Sequence, residues 1–102
     1  MKAARPESLN PESVAAIGER IRLTREAMRL TQAAFARLVG ADPQAINNWE
    51  KARSRISLDQ ALKVCKATGA SLDWIYRGQA SSGLPVSLAT EVQTLERLQR
   101  RK

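Results

Sequence analysis

The sequence has no histidine and a single cysteine, Cys65. A histidine-built metal cluster, a Ser-His-Asp triad and an internal disulfide are therefore out of reach, and no cofactor is expected. With no cluster suited to acid-base or nucleophilic chemistry, the expectation is a protein that is not an enzyme. Long apolar runs are missing as well: nowhere do about eighteen apolar residues stand together, and the opening MKAARPESLNPE has no stretch of signal-peptide length. A cytoplasmic, soluble protein with no membrane partner is expected. Aromatics are few, one Phe, two Trp and one Tyr. A stacking platform for single-stranded nucleic acid needs several on one open face, so Trp74 and Tyr76 read as core or dimer-contact residues.

What is abundant is positive charge. Seventeen Lys and Arg face ten Asp and Glu, a formal charge of +7. The excess sits mostly between Ser13 and Gly78, which draws this part of the chain toward polyanions. At 102 residues the chain is read as one domain with extensions.

The stretch from Thr31 to Arg55 has the form of two short helices joined by a tight turn. Thr31 caps Gln32 to Val39, whose Phe35, Leu38 and Val39 share one side, and Gly40 stops it. Asp42 caps a second helix with Pro43 at its first position, where a missing N–H costs nothing. Ile46 and Trp49 anchor this helix, leaving the amides of Gln44, Asn47 and Asn48 free to match base edges.

The pattern Gln32-x-x-Phe35-Ala36-x-x-x-Gly40-x-Asp42-x-x-x-Ile46-x-x-Trp49-Glu50 resembles the lambda-repressor-like (Cro/repressor, xenobiotic-response-element) helix-turn-helix family, over about Ile17 to Gly78. The resemblance implies an all-α fold, a five-helix DNA-binding domain over residues 10–78, with the helix from Pro43 to Lys51 in the major groove. By matching positions Gln44 and Asn48 would be the main base readers, with Ala45 and Asn47 close by. Thr31, Arg22, Lys51, Arg53 and Arg55 would hold phosphates. Arg25 would pair with Glu50 inside the fold. Gln32 would touch phosphate, without bracing the following helix, because Pro43 stands where relatives often carry glutamine. Ala34 replaces a frequent glutamate, which leaves Thr31 as the cap on its own.

Around this centre, residues 1–9 read as a mobile arm whose Lys2 and Arg5 could reach DNA. Asn10 and Pro11 are expected to open a first helix running to about Arg29, with Val14, Ile17, Ile21 and Met28 buried and Arg20, Arg22, Arg25 and Arg29 on a solvated basic face. Ser57 and Gln60 form a capping box for a fourth helix with Leu58, Ala61, Leu62 and Cys65 as its core stripe. Ser71 caps a fifth, closed by Gly78. Residues 79–102 are expected to be a linker followed by an amphipathic C-terminal helix with Leu88, Val92, Leu95 and Leu98 on one side. That stripe either packs back on the domain or meets a partner.

The function implied is a sequence-specific regulator of transcription, a repressor, binding double-stranded DNA as a homodimer on an inverted repeat. The alternative is an antitoxin that autoregulates its operon and binds a toxin, as its protein partner, through residues 84–102.

Overall fold

The computed structural model describes residues 10–100, and the expected arm, with Lys2 and Arg5, lies outside them. Seven helices and no strand occur among the described residues: α1 (Val14–Ala27), α2 (Gln32–Val39), α3 (Pro43–Glu50), α4 (Leu58–Thr68), α5 (Leu72–Arg77), α6 (Ala80–Gly83) and α7 (Val86–Arg100). The fold is all-α, and α1 is its hub, packed against α3, α5 and α7.

The first helix begins later than its proline suggests. Asn10 closes a turn instead, its Oδ1 accepting from Glu12 N–H and its carbonyl from Ser13 N–H, both at 3.0 Å. An Asn side chain satisfied by its own local turn competes with helix initiation. The N-cap is consequently Ser13, whose Oγ accepts from Ala16 N–H at 3.0 Å. At the other end Arg29 takes a left-handed conformation (φ 61°), so the helix stops at Ala27.

Arg20 overturns the expectation of a solvated basic face. It is only 8% exposed, and its Nε donates to the carbonyl of Ile75 at 3.0 Å while Nη2 donates to that of Pro11. The carbonyls ending α5 lack intrahelical partners, and a long cationic side chain can supply donors from a neighbouring helix. Burial pushes the guanidinium's pKa down, an effect that Glu12 and Glu96 oppose. Beside Arg20, the Thr24 hydroxyl donates to the Arg20 carbonyl at 2.7 Å and accepts from Trp74 Nε1 at 2.9 Å. Trp74 and Ile75 thus fix α5 beneath α1, both buried.

The fourth helix is turned by roughly one residue step from the expected stripe. Its buried residues are Ala61, Val64 and Thr68, while Leu58 and Leu62 are half-exposed and Cys65 is intermediate. Thr68, polar in sequence, tolerates the interior because its Oγ1 donates to the Val64 carbonyl and accepts from Ala70 N–H. Of the capping box, only one half forms: Ser57 Oγ accepts from Gln60 N–H at 3.2 Å, and the Gln60 side-chain oxygen is buried with no partner.

The expected linker is largely structured. Residues 80–83 form the single turn α6, and the Gly83 carbonyl accepts from Ser71 N–H at 2.7 Å. From there α7 packs back on α1, burying Val92 and partly burying Leu84, Leu88 and Leu95, so of the two destinations open to this stripe it takes the domain itself. Val86 and Leu98 remain exposed.

Candidate nucleic-acid interface

Two short helices carry the site. Thr31 Oγ1 accepts from Ala34 N–H at 3.1 Å to open α2, and Gly40 ends it in a left-handed conformation (φ 77°) that turns the chain. Asp42 Oδ1 then accepts from Gln44 N–H at 2.9 Å, and Pro43 follows at the first position of α3. Ile46 and Trp49 are buried, so the opposite side of an eight-residue helix must face out.

That helix is fixed to α1 by a contact and an ion pair. Gly18 lets the two backbones meet: a Cβ built there would stand 2.0 Å from the Trp49 carbonyl oxygen. Helical periodicity does not single out Gly18, and its one signal in the sequence is a glycine inside an otherwise regular apolar helix. Seven residues on, the Arg25 guanidinium donates from Nε to Glu50 Oε2 at 2.7 Å and from Nη2 to Oε1 at 3.0 Å, and its Nη1 donates to the Leu30 carbonyl at 2.8 Å. Side-chain exposure is 12% for Arg25 and 5% for Glu50, so water screens the pair poorly. Gln32 Nε2 joins them, donating to Glu50 Oε1 at 3.0 Å and more weakly to Asn47 Oδ1 at 3.5 Å. Gln32 therefore braces α3 after all, through Glu50 and Asn47 in place of the side chain that Pro43 lacks.

The outward side of α3 holds Gln44, exposed, with Ala45, Asn47 and Asn48 partly so. Gln44 Nε2 donates to Asn48 Oδ1 at 3.2 Å, one helical turn on, which joins the two amides into one surface. Past the helix Lys51, Ala52, Arg53, Ser54 and Arg55 are all exposed. Ala52 sits at φ 61°, reversing the chain, and Arg55 Nη1 donates to the Glu12 carbonyl at 2.9 Å. The loop thus presents positive charge directly beyond α3. Arg22 differs from these. It is clamped within α1 between Glu19, taken by Nε at 3.0 Å and by Nη2, and Glu26, 2.8 Å from Nη1. The bonds to Glu19 and then Glu26 push its pKa up against the opposing effect of burial. Its charge is largely spent inside the helix.

A model of the helix-turn-helix family matches residues 21–75, more than half of the chain. The chain belongs to that family. This helix-turn-helix protein is 34% identical over 65 residues to repressor protein C2 of Salmonella phage P22, covering 64% of the chain and 30% of that repressor. It is 34% identical over 68 residues to repressor protein CI of Enterobacteria phage phi80, covering 67% and 28%. An uncharacterised transcriptional regulator from the ATPase CF(0) region of Rhodospirillum rubrum is 34% identical over 60 residues, with coverage of 59% and 56%. The helix-turn-helix chain therefore matches less than a third of either phage repressor's own length. The crystal structure of the P22 c2 repressor in complex with a synthetic operator superposes with a TM-score of 0.58 at 33% identity, over 62% of this chain and 96% of that one. No helix among the described residues is long and apolar enough to cross a membrane.

Proposed function

We propose that this helix-turn-helix protein is a sequence-specific, double-stranded-DNA-binding regulator of transcription, a cytoplasmic repressor rather than an enzyme, that reads the major groove with α3. The observation that carries this reading is the contrast across α3. One side is locked to α1 by backbone contact and a buried ion pair, and the other offers amides to solvent, in a chain that shares its fold with a repressor crystallised on operator DNA. Gln44 and Asn48 read bases, with Ala45 and Asn47 beside them, and Thr31, Lys51, Arg53 and Arg55 hold phosphates. Gln32 acts first as a brace on Glu50, and Arg22 reaches a phosphate only by leaving Glu19 and Glu26.

Residues 10–78 act as the DNA-binding unit, and α7, within the described residues 79–100, covers α1. A homodimer on an inverted repeat, with recognition helices about 34 Å apart, supplies the specificity a single copy lacks. Because the apolar stripe of α7 is used inside the molecule, the face for self-association is the one formed by Leu58, Leu62, Cys65 and Tyr76, whose apolar groups stay partly or half exposed. Toxin binding by the tail would require α7 to leave α1, which makes the antitoxin reading the weaker of the two.

Base readers and phosphate holders fail differently when removed. Gln44→Ala or Asn48→Ala should cost roughly 1–3 kcal/mol on a site selected from random duplexes and little on random DNA. Arg53→Ala should weaken both alike and make the slope of log K against log salt shallower by about 0.9. Affinities at several salt concentrations decide the matter, and equal losses on both kinds of DNA for Gln44→Ala would overturn the reading of α3.

A further inference from the structure

A second surface lies outside the DNA assignment. A groove of about 290 Å³ opens between α2 and α4, lined by Leu38, Val39, Lys63, Lys66 and Ala67. None of the residues assigned above to bases or phosphates lines it. Leu38 is 47% exposed although it belongs to the apolar side of a short helix, so a large aliphatic group is left in water at the groove's edge. The charged residues that line it are both lysines. Lys63 Nζ leans over the end of α2, 3.5 Å from the Gly40 carbonyl, and Lys66 is exposed; among the described residues neither has a carboxylate within ion-pairing distance. α2 contains no carboxylate at all, and the one on α4, Asp59, lies in that helix's first turn.

We propose that the α2–α4 groove docks an acidic amphipathic segment of a protein partner. An aliphatic or aromatic side chain of the segment covers Leu38, Val39 and Ala67, while its carboxylates meet Lys63 and Lys66. Volume and charge both favour such an occupant. The space falls just below the range of about 300–1,000 Å³ typical of small-molecule sites, and it suits one or two side chains inserted from a larger body. Helix-in-groove recognition of this kind takes its affinity from apolar anchors and its orientation from flanking charge. Nucleic acid would satisfy the cations but brings no aliphatic group to cover Leu38.

The test uses the full chain, labelled with nitrogen-15, and a short synthetic helical peptide with leucines on one face flanked by glutamates. Two controls accompany it, a peptide of scrambled order and one with lysine in place of glutamate. Saturable amide shifts are expected from Arg37 to Gly40 and from Lys63 to Ala67, with the ordered acidic peptide alone. Lys63→Glu combined with Lys66→Glu, and separately Leu38→Ser, should each weaken binding about tenfold or more. Lys51→Glu with Arg53→Glu should leave it unchanged. All of these side chains are exposed, and unchanged thermal unfolding checks that each variant is folded. The proposal is overturned if no saturable shift appears, or if the scrambled peptide binds as well. It is equally overturned if the shifts gather on α3 and residues 51–55 and vanish with the Lys51→Glu, Arg53→Glu variant, which would make the peptide a mimic of DNA.

Discussion

Helix α1 meets two neighbours in two different ways. Against α3 it offers a glycine in backbone contact and an arginine in a two-point ion pair with Glu50. Against α7 the contact is apolar, with Val92 buried and Leu88 and Leu95 partly so, and two residues past the end of α1 an exposed pair, Arg29 and Glu91, stands 4.0 Å apart. The first seam fixes position, since backbone contact leaves no side chain to rearrange and planar bidentate geometry sets an angle. The second covers apolar surface, and apolar burial is non-directional. The proposed role of α3, presenting amides in register with base edges, calls for the first kind of seam, whereas a covering helix needs only the second.

The largest effects should come from the α3 seam. Gly18→Ala forces a methyl group against the Trp49 carbonyl, where backbone has no rotamer with which to yield. A loss of roughly 1–3 kcal/mol or more is expected, with DNA binding lost beyond what unfolding explains, because α3 must tilt. Urea unfolding together with affinity for a selected duplex separates the two, and an unperturbed Gly18→Ala protein would show that the helices do not touch as described.

Next comes the ion pair. Glu50→Ala leaves Arg25 in a poorly hydrated place with only the more distant Glu26 carboxylate, 3.6 Å away, and removes the nearer acceptor of Gln32, so roughly 2–4 kcal/mol should be lost. Arg25→Ala should cost a similar amount and additionally free the Leu30 carbonyl. In a double-mutant cycle the two changes should be far from additive, and strict additivity would remove the pairing from any role in holding α3.

How much of this could be read in advance depended on whether the signal was local. The helix-turn-helix with its caps at Thr31 and Asp42, and the caps of α4 and α5 at Ser57 and Ser71, were legible, because a cap acts within three residues of itself and Pro43 and Gly40 punctuate the chain wherever they stand. Arg20 was not, since what draws it inward is the unpartnered end of α5, fifty-five residues away. Nor was the rotation of α4, where Thr68 becomes a core residue only through its bond to Val64. Hydropathy read along one helix places leucines inside and threonines outside, and here the neighbouring helices decided otherwise. On the candidate DNA face, residue types were visible, but the bond from Gln32 to Glu50 and the enclosure of Arg22 by Glu19 and Glu26 depend on side-chain geometry that periodicity does not encode.

The α7 seam should yield smaller changes, distributed by burial. Val92→Ala removes buried methyl groups and should cost roughly 1–2 kcal/mol, while Leu98→Ala, on the same helix but exposed, should stay within about 0.5 kcal/mol. Thermal unfolding of both variants is sufficient. If Val92→Ala were as silent as Leu98→Ala, α7 would not be packed on α1, and the stripe would again be available to a partner.

The smallest effect offers the sharpest comparison, because each seam contains one Arg-Glu pair and the pairs differ in surroundings. Arg25 and Glu50 approach to 2.7 Å with side chains 12% and 5% exposed, whereas Arg29 and Glu91 stand 4.0 Å apart at 82% and 46%. In water the attraction of the second pair is screened, and ordering two long side chains costs entropy that offsets the remainder. Coupling between Arg29→Ala and Glu91→Ala should therefore be about 0–0.5 kcal/mol and should fade in high salt, while the coupling between Arg25 and Glu50 should persist. Replacing Arg29 by alanine keeps a non-glycine residue at φ 61°, so the backbone cost is common to both arms of the cycle and cancels. A coupling at the α7 seam as large as that at the α3 seam would mean that this seam, too, sets a position, and the division between a fixing seam and a covering one would fail.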